Sequence, residues 1–415
     1  MNALKECLSR HPGLSRMGVA VSGGGDSVAL LLLAAELPGV SVEAATVDHG
    51  LRAESPAEAA HVARLCARLG VAHQVLRWVR GEGRGNLQQA ARRARHDLLG
   101  AWARERGLQA VLLGHTLDDQ AETVVMRLAR GSGVDGLSGM SEAHERGGVL
   151  WLRPLLGTRR AALRDMLRAR GVSWCEDPSN ADERFQRVRA RKALAMLAPL
   201  GIDAAGLAAT AARMTRARVA LEAQTEASLA DLVREDRGTV IVARGAMSLP
   251  PEIRDRVFAR LLRELSGGEY PPRLDGLQRW IAGSGAKGGP FMGCVLRPEA
   301  TDLRLFREYR AVALTRAPVA GLWDGRWRAS GVTEAGTMEI RALGPAGLRQ
   351  LSQQARAGLH PHWRETGLPE AALKAMPGLW NGARLIAAPL ALWPNGWQLT
   401  ARSVVTGPAD SSLSH

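Results

Sequence analysis

Residues 17–34 read MGVAVSGGGDSVALLLLA, and the order of residue types along this stretch decides the fold. Gly18 to Val21 is a short apolar run suited to a buried strand, and Val28 to Ala34 is an apolar run suited to a helix. Between them Ser22, Gly23, Gly24, Gly25, Asp26 and Ser27 form a turn of small residues. Consecutive glycines let the backbone bend tightly and aim successive N–H groups at one anion, and the helix N-terminus adds its own unpaired donors. The six residues therefore predict a phosphate-binding loop. A Walker A lysine is absent and the spacing is not G-x-G-x-x-G, so neither a P-loop NTPase nor a dinucleotide fingerprint is indicated.

Outward from this loop, strands and helices alternate. Expected strands are Gly18 to Val21, Val42 to Val47, Ala72 to Val79, Ala110 to Leu113 and Val149 to Leu152. Helical patterns fall near Ser27 to Glu36, Pro56 to Leu69, Leu87 to Arg106 and Asp118 to Ala129. Apolar strands separated by helices imply an α/β fold with a parallel sheet covered on both faces, and ligands in such folds lie beyond the carboxyl ends of the strands. The glycine loop sits at that end.

A second block, LLGHTLDDQAETVVMRLARGSGVDGLSGM at 112–140, follows the fourth strand. His115 stands at its exit, and Asp118, Asp119 and Glu122 enter the next helix with Asp118 and Glu122 four residues apart on one face. Thr116 with Asp119 also suits a helix cap. Carboxylates beside a polyphosphate make electrostatic sense through Mg²⁺, and Asp26 and Asp119 are the expected metal-linked pair.

The chain has 415 residues, enough for two or three domains, and carries 55 basic against 41 acidic residues, a net charge of +14. That balance favours a polyanionic partner. Basic residues concentrate from Arg184 to Arg218 in a mostly helical region, where Arg187, Arg189 and Arg191 suit phosphate-backbone contacts. Arg92, Arg93 and Arg95 lie off the apolar stripe of the Leu87 to Arg106 helix. Cys7, Cys66, Cys175 and Cys294 are scattered without a C-x-x-C pair, and no signal-like or membrane-length apolar run occurs, so a cytoplasmic protein with no membrane partner is expected. The last stretch holds Trp363, Trp380, Trp393 and Trp397, for which core packing is the expected use.

The ordered blocks SGGGDS at 22–27, VDHGLR at 47–52, NLQQAARRAR at 86–95, GHTLDDQAET at 114–123, RGSGVDGLSGM at 130–140 and EDPSNADERFQRVRAR at 176–191 closely resemble the tRNA(Ile)-lysidine synthases, a family of pyrophosphate-loop ATP pyrophosphatases. The resemblance covers roughly the first half of the chain. It implies an adenine nucleotide alpha-hydrolase-like catalytic domain over 1–180, a helical tRNA-binding domain over 181–320 and a small mixed C-terminal tRNA-recognition domain over 321–415. It implies ATP and Mg²⁺ as cofactors, a tRNA(Ile) with a CAU anticodon and free L-lysine as substrates, and leaves a homodimer open.

On that likeness Asp48 and His49 lie near the nucleotide, and His115, Asp118, Asp119 and Glu122 complete the catalytic centre. Asp135 would orient the lysine amine, and Arg92, Arg130, Asn180, Arg187, Arg189 and Arg191 would face RNA. Three positions depart from the family pattern. Val188 replaces an asparagine in the last block, His96 replaces an aromatic residue, and Thr116 stands where a second histidine is frequent. Two other readings compete: a tRNA 2-thiocytidine synthase, which normally needs cysteine chemistry, and a non-catalytic RNA-binding protein, which leaves the glycine loop and acidic helix unexplained.

Overall fold

The computed structural model describes residues 2–50, 55–79, 87–176, 184–268, 271–283, 289–331 and 338–405. The chain divides into two compact units, Met1–Val219 and Ala220–Ala409.

The first unit is built on strands β1 (Arg16–Ala20), β2 (Ser41–Asp48), β3 (Ala72–Arg77), β4 (Ala110–Leu113), β5 (Ala143–Arg146) and β6 (Val149–Leu152). They form one sheet in the order β3-β2-β1-β4-β6-β5. Every neighbouring pair is parallel except β5 with β6. Strand order reverses between β1 and β4, so the loops leaving these two strands flank a crevice at their carboxyl ends. The expected α/β architecture with a parallel sheet is the one observed.

Its helices are α1 (Asn2–Ser9), α2 (Gly25–Ala35), α3 (Ser55–Leu69), α4 (Leu87–Glu105), α5 (Leu117–Leu128), α6 (Val134–Leu137), α7 (Arg160–Ala169), α8 (Gln186–Leu197) and the start of α9 (Ala204–Leu232). The two-residue side-chain period of the strands splits the interior into two cores. Met17 and Val19 of β1 with Ala110 and Leu112 of β4 pack against Leu30, Leu31, Val62 and Leu163 from α2, α3 and α7. Ala20, Val111 and Leu113 pack against Leu99 and Trp102 of α4 on the opposite face. The helix α2 buries nine of its eleven residues, which is why its sequence lacks a polar stripe.

The sequence reading gave five strands here, and the structure has a sixth. Strand β5 is an antiparallel edge strand joined to β6 by Gly147 and Gly148, both at positive φ (61° and 73°), as a two-residue hairpin turn of this kind requires. Its sequence, AHER, is too polar to read as apolar alternation.

In the second unit, β7 (Val233–Asp236), β8 (Thr239–Ala243), β9 (Pro290–Phe291), β10 (Cys294–Pro298) and β11 (Asp302–Arg307) form an antiparallel sheet in the order β7-β8-β11-β10-β9. The helices α10 (Pro251–Ser266) and α11 (Leu274–Gly283) share its core through Phe258, Leu261, Leu262, Leu277 and Trp280. The region expected to be mostly helical thus also holds a sheet, whose strands are short and half buried. A second sheet joins β12 (Arg316–Pro318), β14 (Met338–Ala342), β15 (Pro377–Asn381) and β16 (Arg384–Ala387), while β13 (Trp327–Gly331) pairs with β17 (Trp397–Ala401). Trp363, Trp380 and Trp397 are buried in these cores.

Candidate active site

The turn after β1 is organised by hydrogen bonds among its own small residues. Gly23 has φ +87°, which L side chains rarely adopt. The Ser27 hydroxyl donates to the Gly24 carbonyl at 2.8 Å and accepts the Ser22 N–H at 3.2 Å. Gly24 is the N-cap of α2 and has no side chain to occupy the first-turn N–H groups. The Cys175 N–H, from the chain after α7, donates to the Gly23 carbonyl at 2.9 Å. The turn from Ser22 to Ser27 thus opens a helix whose N-cap makes no side-chain hydrogen bond, the arrangement in which helix N-termini can meet anions.

The loop leaving β4 lies directly against this turn. A Cβ on Gly114 would stand 3.0 Å from Ser27 Cα and 3.1 Å from the Asp26 carbonyl oxygen. Thr116 then caps α5 in a reciprocal box: its hydroxyl accepts the Asp119 N–H at 3.3 Å, and Asp119 Oδ2 accepts the Thr116 N–H at 2.9 Å. This box accounts for threonine at that position.

One residue that the sequence reading missed joins the two loops. Arg160, the first residue of α7, donates from Nε to Asp26 Oδ2 at 2.8 Å, from Nη2 to Asp119 Oδ1 at 3.0 Å and from Nη1 to Glu122 Oε1 at 3.4 Å. Its N–H is taken by Asp118 Oδ2 at 2.7 Å, so Asp118 caps α7 from α5. A basic residue in the first turn of a helix runs against the macrodipole, and that anomaly in TRRAAL was the available signal.

Glu122 is buried, and its Oε1 also accepts from Arg191 Nε of α8 at 2.9 Å, while Arg187 Nη1 lies 3.8 Å from Asp119 Oδ1. The acidic residues of α5 thus meet both the phosphate loop and the first arginines of α8.

Burial pushes the Asp26 carboxyl up from its ordinary range, outweighing the Arg160 hydrogen bond that pulls it down. Asp119 is also penalised by burial, yet the charges of Arg160 and Arg187 prevail and hold it low. His115 is driven well below its usual value by burial and then by Arg153, which keeps its imidazole neutral at pH 7. Asp48 ends β2 and His49 follows it; Asp48 Oδ1 accepts the Gly50 N–H at 2.9 Å, and the His49 ring stands edge-on to Trp78 with centroids 6.0 Å apart. Asp135 lies on the short helix α6.

Positive charge converges beside this acidic group. Burial and the neighbouring guanidinium of Arg187 lower Arg92, and burial with Arg92 and Arg187 lowers Arg95. Burial, Arg92 and Arg127 push Arg153 down to about 10. These guanidinium groups repel one another, and burial adds to the cost of carrying their charge. Arg130 is exposed and donates to Gln186, and Arg189 is exposed on α8. Asn180 lies outside the described residues. Val188 is buried and His96 packs edge-on to Trp151 at 5.0 Å, so both departures from the family pattern occupy interior places.

Asp26 Oδ1 and Glu122 Oε2 are buried and have no hydrogen-bond partner among the described residues. No group of three or more metal-binding side chains occurs among those residues. A cation completed mainly by substrate phosphates and water, as Mg²⁺ prefers, fits two such oxygens better than an all-protein cage would. Among the described residues no single helix is long and apolar enough to cross a membrane.

The chain is similar to several known proteins. A family model described as a PP-loop domain matches residues 2–198. A tRNA(Ile)-lysidine synthase from Ruegeria pomeroyi is 48% identical over 421 residues, covering 100% of this chain and 98% of that protein. One from Methylobacterium nodulans is 46% identical over 270 residues, covering 64% of this chain and 80% of that protein. Among solved structures, a U34-tRNA thiolase from Methanococcus maripaludis matches with a TM-score of 0.45 at 16% identity, covering 52% of this chain and 77% of that one. By its full-length likeness to such relatives and its PP-loop domain, the chain belongs to the tRNA(Ile)-lysidine synthase family.

Proposed function

We propose that this protein is an ATP-dependent ligase that joins the ε-amine of free L-lysine to C2 of the wobble cytidine in a tRNA(Ile) with a CAU anticodon. The observation that carries the reading is the convergence of Asp26 from the phosphate loop with Asp119 and Glu122 from α5 around Arg160, beside a cluster of arginines. Phosphate chemistry and a polyanionic substrate meet at one crevice.

In the first half-reaction cytidine O2 attacks the α-phosphorus, the bond to the bridging oxygen breaks and pyrophosphate leaves. In the second, the lysine amine attacks C2, the C2–O bond breaks and AMP leaves. An amine with a reference pKa near 10.4 must lose a proton before it attacks. The glycine-loop N–H groups hold phosphate oxygens and stabilise charge as it moves towards pyrophosphate. Asp26 and Asp119 hold Mg²⁺ in this reading, with the bare oxygen of Glu122 beside them, and the ion when bound would neutralise phosphate charge. His115, neutral at pH 7, is suited to hydrogen bonding next to the phosphates, and Asp135 is assigned to the lysine amine. Arg92, Arg130, Arg187 and Arg189 position the RNA backbone, and Asn180 is assigned the same task.

The C-terminal segment 321–415 is read as a further tRNA contact. Its support is an open groove of about 370 Å³ lined by Arg349, Arg356, Arg364 and Lys374 around Trp363. The reading puts the enzyme in the cytoplasm, where tRNA, ATP and free lysine occur together.

The direct test is nucleoside mass analysis of CAU-anticodon tRNA(Ile) after incubation with protein, ATP, Mg²⁺ and lysine, with lysine omitted in parallel. A lysine-dependent mass gain confined to the wobble cytidine is expected. Folded, ATP-binding protein that gives no such gain would reject the reading.

A further inference from the structure

Both carboxylate oxygens of Asp119 accept hydrogen bonds. Its Oδ2 accepts from the Thr116 N–H at 2.9 Å and the Thr116 hydroxyl at 2.8 Å, and its Oδ1 accepts from Arg160 Nη2 at 3.0 Å. The same guanidinium occupies Asp26 Oδ2 and Glu122 Oε1 at 2.8 and 3.4 Å. A divalent cation that takes Asp119 as a ligand must approach one of those oxygens to about 2.1 Å, and on Oδ1 it would share the oxygen with a guanidinium whose positive charge repels it at close range. The Thr116 bonds belong to the cap of α5, so removing them unravels a helix start. The Arg160 bond can be given up by side-chain rotation alone. Its main chain stays in place because the Arg160 N–H is held separately by Asp118 Oδ2 at 2.7 Å.

We propose that Arg160 is an internal counter-cation: in the nucleotide-free protein it neutralises Asp26, Asp119 and Glu122, and it moves off Asp119 Oδ1 when the divalent cation that arrives with the nucleotide takes Asp119 together with the bare Asp26 Oδ1. Tethered at the mouth of the crevice, the displaced guanidinium exchanges carboxylate oxygens for those of the polyphosphate. Arg160 is thus a positioning residue that keeps the carboxylates assembled and suppresses metal binding until nucleotide is present. The proposal rests on the magnesium reading above, and is independent of which RNA base is modified.

The test is direct Mn²⁺ binding, followed by electron paramagnetic resonance, to the full chain and to Arg160→Met and Arg160→Lys, each with and without α,β-methylene-ATP. Wild-type protein is expected to bind Mn²⁺ well only with the nucleotide analogue. Arg160→Met is expected to bind Mn²⁺ alone at least tenfold more tightly than wild type, and Arg160→Lys, which keeps the charge, is expected to fall between them. Equal or weaker Mn²⁺ binding by Arg160→Met, alongside nucleotide-dependent binding in the wild type, overturns the proposal and leaves the magnesium reading intact. Absence of Mn²⁺ binding by wild type even with the analogue removes both. If Arg160→Met does not fold, Arg160→Lys decides by the same criterion.

Discussion

Gly114 and Ser27 are in backbone contact across the crevice: a methyl group on Gly114 would stand 3.0 Å from Ser27 Cα. The close neighbours are main-chain atoms of α2's first turn, which cannot rotate away as a side chain would. Gly114→Ala should therefore push the loop after β4 off the phosphate turn. The expected cost is about 1–3 kcal/mol of stability, typical of overpacking, with at least a tenfold loss of ATP affinity. Urea unfolding and nucleotide titration measure the two. A variant that keeps both would mean the loops separate freely.

Glu122 is buried against Arg160 and Arg191, and one carboxylate serves both guanidinium groups. Glu122→Gln keeps the shape and removes the charge. Arg160 keeps Asp26 and Asp119 and Arg191 remains open to solvent, so the expected loss is that of hydrogen bonds to a charged group, about 1.5–3 kcal/mol. Chemical denaturation should register it at neutral pH, together with a fall in pyrophosphate release.

His96 is pushed down to about 3, first by burial and then by Arg92, Arg95 and Arg146. Its pKa in the unfolded chain is near 6.5, so the unfolded state takes up a proton that the folded state refuses. The stability this provides is complete above about pH 6.5 and is lost as pH falls towards 3, with a slope of at most about 1.4 kcal/mol per pH unit. His96→Phe should flatten the fall in stability between pH 6.5 and pH 4.5. Parallel slopes for both proteins would remove His96 as a source.

Arg189 and Arg191 stand two residues apart on α8 with different duties. Both are exposed, but the Arg191 guanidinium is bound to Glu122. Arg189→Ala should weaken tRNA binding and lower the slope of log affinity against log salt by roughly 0.7–0.9, with turnover at saturating tRNA unchanged. Arg191→Ala should instead lower stability and turnover. Filter binding across salt, combined with steady-state kinetics, separates them.

What could be read from sequence was local. The phosphate turn needs only the run Ser22 to Ser27, and the parallel sheet needs only apolar strands between helices. The Thr116–Asp119 cap is a spacing of three. Arg160 escaped because its partners lie 38 to 134 positions away and no periodicity links them. Arg191 reads as RNA-facing because it stands in a basic helical run, and its bond to Glu122, 69 positions away, has no counterpart in local pattern. Val188 looked like a lost polar contact because a helix's faces cannot be assigned until its neighbour, here α5, is known.

The bond from the Cys175 N–H to the Gly23 carbonyl has a consequence for how the protein is made. Ribosomes release a chain from its N-terminus, and domains fold as they emerge. The glycine turn appears among the first 30 residues, but its cover at Cys175 and its counter-charge at Arg160 arrive more than 130 residues later. A nascent chain that has exposed β1 to β4 therefore carries a strand scaffold and an unpaired carboxylate at Asp26. The contacts of the glycine turn with Arg160 and Cys175 can therefore form only after both later segments have left the ribosome.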